Sequence, residues 1–399
     1  MDFKFTPEEE AFRQEVQRFI KEELPPTPGD WGTLESEFDP QNFEFTKQVA
    51  KKLGGKKWLA MNWPKEYGGL DASPIEHMIF KEEATYHQVP GIDMGVGGIT
   101  WVGPTLLILG NEEQKREHLP PLAAGERWWC TMYSEPGAGS DMSNVTCRAV
   151  LQGDEYIING QKVWTSAAHI ADWGWMLVKT DPDAPKKHHG ISLLLVDMKT
   201  PGITVRPLLN MAGHLFFNEV FFDNVHVPKR NLIGEENRGW YYIMIAMGFE
   251  RTMGVVFAAA AQRLIDELVG FAKGTIVNGL PLSKNPSIRQ KLADLAIEVE
   301  IARVIGYLIV SQQTKGELPG YEAPMIKVFA SETLQRMTDV GTEIMGLYGQ
   351  LWLGSKWAPL QGMMADTYMN STGMLIAAGT SEILRNIIAE RGLGLPRSV

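Results

Sequence analysis

Apolar residues recur at helical spacing through the first third of the chain. Thr6-Pro7-Glu8-Glu9 reads as a capping box with proline in the first turn, and Phe12, Val16, Phe19 and Ile20 carry the pattern until Leu24-Pro25-Pro26 stops it. A loop rich in Pro, Gly and acid runs to about Pro40. Further helical periods follow at about 41–54, 74–87, 93–109 and 112–123, punctuated by Pro64, Gly68-Gly69, Pro90-Gly91 and Gly110. Near Trp128 the period changes to two. Thr146, Arg148 and Val150 alternate, and Tyr156-Ile157-Ile158 and Val163-Trp164 flank Asn159-Gly160, which predicts a type I′ hairpin there. Trp175 to Val178, Ile191 to Val196, Ile203 to Val205 and Val220 to Phe222 add short strands, so the stretch predicts an antiparallel barrel or sandwich. From Trp240 the helical period returns. Phe257, Ala261, Leu264, Ile265 and Leu268, then Ile288, Leu292, Leu295, Val299, Ala302, Ile305 and Ile309, predict a bundle of about four helices, broken near Pro281, Pro319 and Pro359. The expected class is α+β, with a helical domain over 1–128, a β domain over 129–235 and a helical bundle over 236–399.

Composition excludes more than it names. With 399 residues, 44% hydrophobic and 22% charged, the chain is neither disordered, collagen-like nor a disulfide scaffold. Its two cysteines, Cys130 and Cys147, suit a reducing compartment, so a cytoplasmic location is expected. The N-terminus has no basic region followed by an apolar run, so neither export nor membrane insertion is expected. A net charge of −10 argues against nucleic acid as a partner, though not against a local pocket for a phosphorylated ligand. The eight histidines lack metal-binding spacing on a helix, and no metal site is expected. Neither a Gly-x-Ser-x-Gly elbow nor a P-loop occurs, and Gly95-Val96-Gly97-Gly98 has no βαβ context to support a nicotinamide-binding domain. Two excesses remain: 40 glycines, and 12 tryptophans, among which Trp58, Trp63, Trp101, Trp128, Trp129, Trp164, Trp173 and Trp175 cluster early.

Three segments can carry chemistry. Tyr133-Ser134-Glu135-Pro136-Gly137-Ala138-Gly139-Ser140-Asp141 gathers hydroxyls and freely approachable backbone N–H groups at the helix-to-β transition, as a phosphate or polar ring edge requires. An interdomain turn would read the same way. Trp164-Thr165-Ser166 ends a predicted strand with a flat ring and two hydroxyls, which suits either a core position or a cofactor wall. Ala377-Ala378-Gly379-Thr380-Ser381-Glu382 opens a C-terminal helix, where Thr380 or Ser381 can simply be the N-cap.

Together these segments resemble the acyl-CoA dehydrogenase family over essentially the whole chain. Ser134 to Asp141 is similar to the family's Thr/Ser-Glu-Pro-x-Ala-Gly-Ser-Asp signature, and Asn159-Gly160-Gln161-Lys162-Val163-Trp164-Thr165-Ser166 and Gly379-Thr380-Ser381-Glu382-Ile383 are similar to two further family motifs. The resemblance implies a helical N-terminal domain, a β middle domain and a C-terminal four-helix bundle. It also implies FAD as cofactor, an acyl-CoA substrate and electron-transfer flavoprotein as electron acceptor, in a homotetramer or heterotetramer. In that frame Thr131, Tyr133 and Ser134 contact the flavin, Gly139 lets backbone approach it, and Ser140 reaches the cofactor or the acyl-CoA phosphates. Trp164 packs on the flavin, with Thr165 and Ser166 beside it. Thr380 and Glu382 complete the FAD site, and Ala378 and Gly379 line the substrate. The segment from Glu343 to Gly349 resembles the one with which a neighbouring subunit holds the adenosine part of FAD: Gly346 and Gly349 align, while a usual glycine is Leu347.

The implied reaction is α,β-dehydrogenation of the thioester, in which a base removes the α-proton. Much of the family places that base, a glutamate, directly before Gly-Thr of the last motif, and here the position is Ala378. Glu250, followed by Arg251, resembles the Glu-Arg pair that isovaleryl- and long-chain-type members use instead. Glu250 is therefore the expected base and Arg251 its neighbour in substrate binding; a solvated helical charge pair is the alternative. The family's Arg-x-x-Phe-Gly stretch for the FAD pyrophosphate is replaced by Asn278 to Lys284, and Arg289 is the candidate for the missing charge. This variant pattern resembles bacterial members that act on bulky acyl groups such as steroid side chains, cyclic acids or dicarboxylic acids. The alternatives are an oxidase of the same fold and a non-catalytic FAD- or CoA-binding subunit.

Overall fold

The computed structural model describes residues 4–25, 34–249, 253–317 and 320–397. Contacts gather the chain into two compact units, one of Met1–Ser36, Ser73–Val89 and Arg251–Val399, the other of Glu37–Ala72 and Pro90–Glu250. Grouping by contact thus cuts across grouping by chain order, because the early helices α1 (Pro7–Glu22), α2 (Phe43–Gly55), α3 (Pro74–Tyr86), α4 (Gly103–Leu109) and α5 (Glu112–Ala123) divide between the units.

The β unit holds α2, α4, α5, seven strands and α6 (Gly239–Phe249). The strands are β1 (Trp129–Met132), β2 (Arg148–Gln152), β3 (Glu155–Lys162), β4 (Trp173–Lys179), β5 (Ile191–Asp197), β6 (Ile203–Leu208) and β7 (Phe217–Pro228). They form one sheet in the order β1-β4-β2-β3-β7-β6, with β5 on the other edge of β4. Most ladders are antiparallel, as the alternation predicts, while β1 and β2 run parallel to β4. Side chains two apart line one interior face: Cys130 and Met132, Tyr156 and Ile158, Met176 and Val178, Leu194 and Val196, Val220 and Phe222, with Cys147 and Ala149. β4 and β5 bury their other faces too, so they read as continuous apolar runs.

Two sequence expectations change in this unit. Asn159-Gly160 makes no turn; β3 runs straight through it, and the β2–β3 reversal falls at Gly153-Asp154, where Gly153 has φ +62°. Opposite Asn159-Gly160, β7 carries one extra residue between Phe222 and Val225, and Asn224 takes φ +48°. The side chain of Asn159 accepts from the Asn224 backbone N–H at 2.9 Å, so the Asn-Gly pair faces a bulge in its partner strand. The helical period predicted over 93–109 also starts later. Val96 N–H donates to the Trp129 carbonyl and Trp129 N–H to the Met94 carbonyl, so Gly95 makes a single parallel bridge to Trp129 of β1 from a turn in which Met94 takes φ +54° and Gly95 φ +92°, and a π-helical turn at Gly98–Val102 leads into α4.

The helical unit holds α1, α3, α7 (Met253–Gly274), α8 (Pro286–Thr314), α9 (Glu322–Met345), α10 (Met363–Met374) and α11 (Ser381–Ile387), with a short hairpin of β8 (Ile276–Val277) and β9 (Leu280–Pro281) between α7 and α8. The predicted capping box forms: Thr6 N–H donates to Glu9 Oε2 at 2.8 Å and Glu9 N–H to Thr6 Oγ1 at 3.2 Å. The predicted stripes on α7 and α8 meet α9 and α10 in a core containing Leu264, Leu268, Leu292, Leu295, Met337 and Met364. Pro281 closes the hairpin and Pro359 opens a 3₁₀ turn, as expected of helix breakers; Pro319 lies outside the described residues.

Candidate active site

In the β unit the first two motifs meet. Val163 N–H donates to the Ser134 carbonyl at 3.0 Å, which ties the chain leaving β1 to the chain leaving β3. Beside that link Trp164 is 61% exposed and takes φ +58°, a left-handed conformation that a bulky side chain occupies only under constraint. Its ring meets Phe217 edge-on at 5.8 Å. Thr165 is buried. Its N–H donates to the Asn218 carbonyl, its own carbonyl accepts from Asn218 Nδ2 at 2.9 Å, and its hydroxyl has no protein partner. Ser166 is half-buried.

The chain around β1 is equally fixed. Thr131 Oγ1 donates to the Val96 carbonyl at 2.9 Å and accepts from Trp175 Nε1 at 2.9 Å, so its proton is committed and a ligand meets only its remaining lone pair. The Tyr133 ring lies 5.5 Å from that of Trp175. Glu135 and Ala138 exchange backbone hydrogen bonds at 3.0 Å, a tight turn that leaves Gly137, Gly139 and Ser140 exposed, and added Cβ atoms at either glycine would meet nothing. Sequence reasoning missed what holds the turn. Glu135 is buried and pairs with Lys162 Nζ at 2.7 Å, and Lys162 also donates to the Tyr133 carbonyl at 3.1 Å. Burial pushes the Glu135 carboxyl up, but Lys162 and then the N–H and hydroxyl of Thr146 outweigh it, and the net direction is down. Both residues stood in the motifs; nothing in their spacing showed that they would pair.

In the helical unit the third motif forms a strained turn. Ala378 takes φ +53° and Gly379 φ +92°, and Thr380 caps α11 by accepting from the Ile383 N–H at 3.3 Å. Buried Lys327 on α9 donates to the Gly379 carbonyl at 2.8 Å, a support 52 residues away that no local pattern signals. Glu382 is exposed, and its own backbone N–H and then the Thr380 hydroxyl hold its carboxyl below the usual range. The Ser381 hydroxyl is buried without a partner. Gly346 ends α9 at φ +58°, and Gly349 is buried where an added Cβ would stand 2.8 Å from the Thr342 carbonyl oxygen. Arg289 sits exposed in the first turn of α8, lining an open groove with Lys284, Pro286, Gln290 and Ala293. Glu250 and Arg251 lie outside the described residues.

Three family models divide the chain among them: acyl-CoA dehydrogenase N-terminal domain over 6–126, middle domain over 130–225 and C-terminal domain over 237–393. The chain belongs to the acyl-CoA dehydrogenase family. It is 32% identical over 406 residues to acyl-CoA dehydrogenase FadE26 of Mycobacterium tuberculosis, covering 100% of each chain. Among solved structures it resembles the Tcur3481-Tcur3483 steroid ACAD, with a TM-score of 0.89 at 31% identity and 100% of each chain covered. The ChsE4-ChsE5 complex from Mycobacterium tuberculosis is similar at a TM-score of 0.87 and 31% identity, again over 100% of each chain. This acyl-CoA dehydrogenase is an oxidoreductase acting on the CH–CH group of acyl-CoA, and members of its family are FAD-dependent flavoproteins. No helix among its described residues is long and apolar enough to cross a membrane.

The residues present fit a flavin. An exposed indole held in a strained backbone, the orphaned hydroxyl of Thr165 next to it in the chain, and open space over Gly137 and Gly139 suit a flat ligand with a polar edge.

Proposed function

We propose that the chain catalyses α,β-dehydrogenation of a bulky acyl-CoA to the trans-2-enoyl-CoA in the cytoplasm, with electron-transfer flavoprotein as acceptor. The observation that supports it most directly is the Val163–Ser134 hydrogen bond, which sets the exposed Trp164 beside the Tyr133-Ser134 backbone. Thr131, Tyr133, Ser134, Gly139, Ser140, Trp164, Thr165 and Ser166 are the FAD contacts of the β unit. Thr380 and Glu382 are those of the helical unit, Gly346 and Gly349 hold the adenosine part of the FAD of a neighbouring subunit, and Arg289 supplies positive charge for the pyrophosphate. When bound, FAD supplies the acceptor for the β-hydrogen and its electron pair. Proton removal falls to the protein. Ala378 offers no carboxylate, so the Glu250 carboxylate takes the α-proton as the α-C–H electrons form the new double bond, and Arg251 orients the thioester. Ser140, Ala378 and Gly379 line the substrate. An alanine in place of a glutamate at 378 leaves room for a branched or polycyclic acyl group, in keeping with a relative described as a steroid ACAD. The assembly is a tetramer, of this chain alone or with a second related chain, and the native mass distinguishes the two.

Anaerobic mixing of the flavin-loaded protein with a panel of acyl-CoA thioesters tests the reading. Bleaching of the flavin by bulky thioesters is expected, with slow reoxidation by oxygen and fast reoxidation by electron-transfer flavoprotein. Glu250→Gln should keep FAD and lower the bleaching rate by about 10²–10⁴. Bleaching at the native rate would remove Glu250 as the base.

A further inference from the structure

We propose that the buried Lys162–Glu135 pair is a positioning device that holds two flavin-contacting segments in register. This rests on the reading of the β unit as an FAD site. Lys162 ends β3 with a fully buried side chain, and Glu135, 3% exposed at its side chain, follows Tyr133-Ser134. The ammonium donates to Glu135 Oε1 at 2.7 Å and to the Tyr133 carbonyl at 3.1 Å. The carboxylate meanwhile accepts from Thr146 N–H at 2.6 Å, Thr146 Oγ1 at 2.8 Å and Cys147 N–H at 3.0 Å. The residue that follows each of Lys162 and Tyr133 adds the Val163–Ser134 bond. Both carbonyls of the Tyr133-Ser134 segment are thus held from residues 162 and 163, immediately before Trp164. The carboxylate anchors the same segment to the start of β2.

Stability alone is a poor account of such a pair. Two buried charges lose hydration, and replacing both by neutral groups of similar volume is often harmless, whereas removing one leaves the other stranded. The ammonium ends on the Tyr133 carbonyl, in the segment that faces the ligand, and the carboxylate on the N–H groups of Thr146 and Cys147, so the pair fixes where that carbonyl stands relative to the start of β2. Position is what an enzyme site requires to within a fraction of an ångström.

The contrast between single and double variants tests this. Lys162→Met should lower the thermal midpoint of the apoprotein and weaken FAD binding together. In Lys162→Met/Glu135→Gln no charge is stranded, so the midpoint should return toward that of the parent while the FAD dissociation constant stays at least about tenfold raised. The visible absorption band and reduction potential of the bound flavin should shift as well. A double variant with parental midpoint, affinity, spectrum and potential would overturn the proposal, and so would full recovery of affinity in step with stability. If the double variant does not fold, Thr146→Val decides, since it removes one hydrogen bond to Glu135 and leaves the charges in place. A several-fold weaker FAD affinity is expected and an unchanged one overturns the role. Parent protein that takes up no FAD on reconstitution overturns the flavin reading and this inference together, whereas parental binding with an unaffected double variant overturns only the latter.

Discussion

Burial holds the imidazoles of His77 and His118 neutral and pushes each pKa from 6.5 down to about 3, with Lys81 adding to the effect at His77 and Arg127 at His118. The guanidinium of Arg127 lies 3.2 Å from His118 Nδ1 and has no acceptor to offer, so Nδ1 must be the unprotonated nitrogen. A depressed pKa means that the unfolded chain takes up protons that the folded chain refuses. The stabilisation is complete above pH 6.5 and is lost as pH falls toward 3. Each histidine should therefore steepen the fall in unfolding free energy by about 1 kcal/mol per pH unit on average between pH 6.5 and 5, above the range where most carboxylates titrate. Denaturant titrations across that window check the slope. His118→Gln, which keeps an acceptor for Arg127, should remove one histidine's share. Neither residue was legible as buried, because a histidine in a helical pattern fits the polar face as well as the core.

At the scale of elements, the Asn159-Gly160 pair shows how one local signal supports two structures. Asn-Gly is favoured wherever backbone crowds or φ turns positive, and a hairpin turn is only the commoner case. Here the constraint comes from across the sheet. A Cβ on Gly160 would stand 2.8 Å from Cys147 Cα and 2.7 Å from its Sγ, so β2 can close on β3 only over a glycine. Gly160→Ala should cost about 2 kcal/mol in urea unfolding by overpacking against backbone that cannot retreat. An unchanged midpoint would show that the strands separate at little cost. Helices whose period spans ten residues and strands written as an unbroken apolar run, such as α8 and β5, were readable from the chain alone. The parallel pairing of β1 with β4, the bridge of Gly95 to Trp129 and the bulge in β7 were not, because each depends on a neighbour remote in sequence. The same holds for the supports of the candidate site. Glycines and hydroxyls announced the loops, whereas Lys162 and Lys327, which hold those loops by their carbonyls, look in sequence like any surface lysine.

For the molecule as a whole, the net charge of −10 has no bearing on whether a phosphorylated ligand binds, since backbone N–H groups and a few local cations suffice. The arrangement of chemistry along the chain matters more: two motifs belong to the β unit, while the third and the Gly346–Gly349 segment belong to the helical unit. Cys130 and Cys147 are fully enclosed, and burial pushes their thiols up to about 12 and about 11, so at neutral pH they are neither accessible nor nucleophilic. A thiol reagent can reach them only when the sheet parts. The pair thus serves as a built-in clock for opening: labelling of native protein should be slow, should become complete in denaturant, and should slow further when FAD is bound. Mass spectrometry of timed samples reads that clock, and rapid labelling of either cysteine in the flavin-loaded protein would mean that the sheet around the proposed cofactor loops opens on its own.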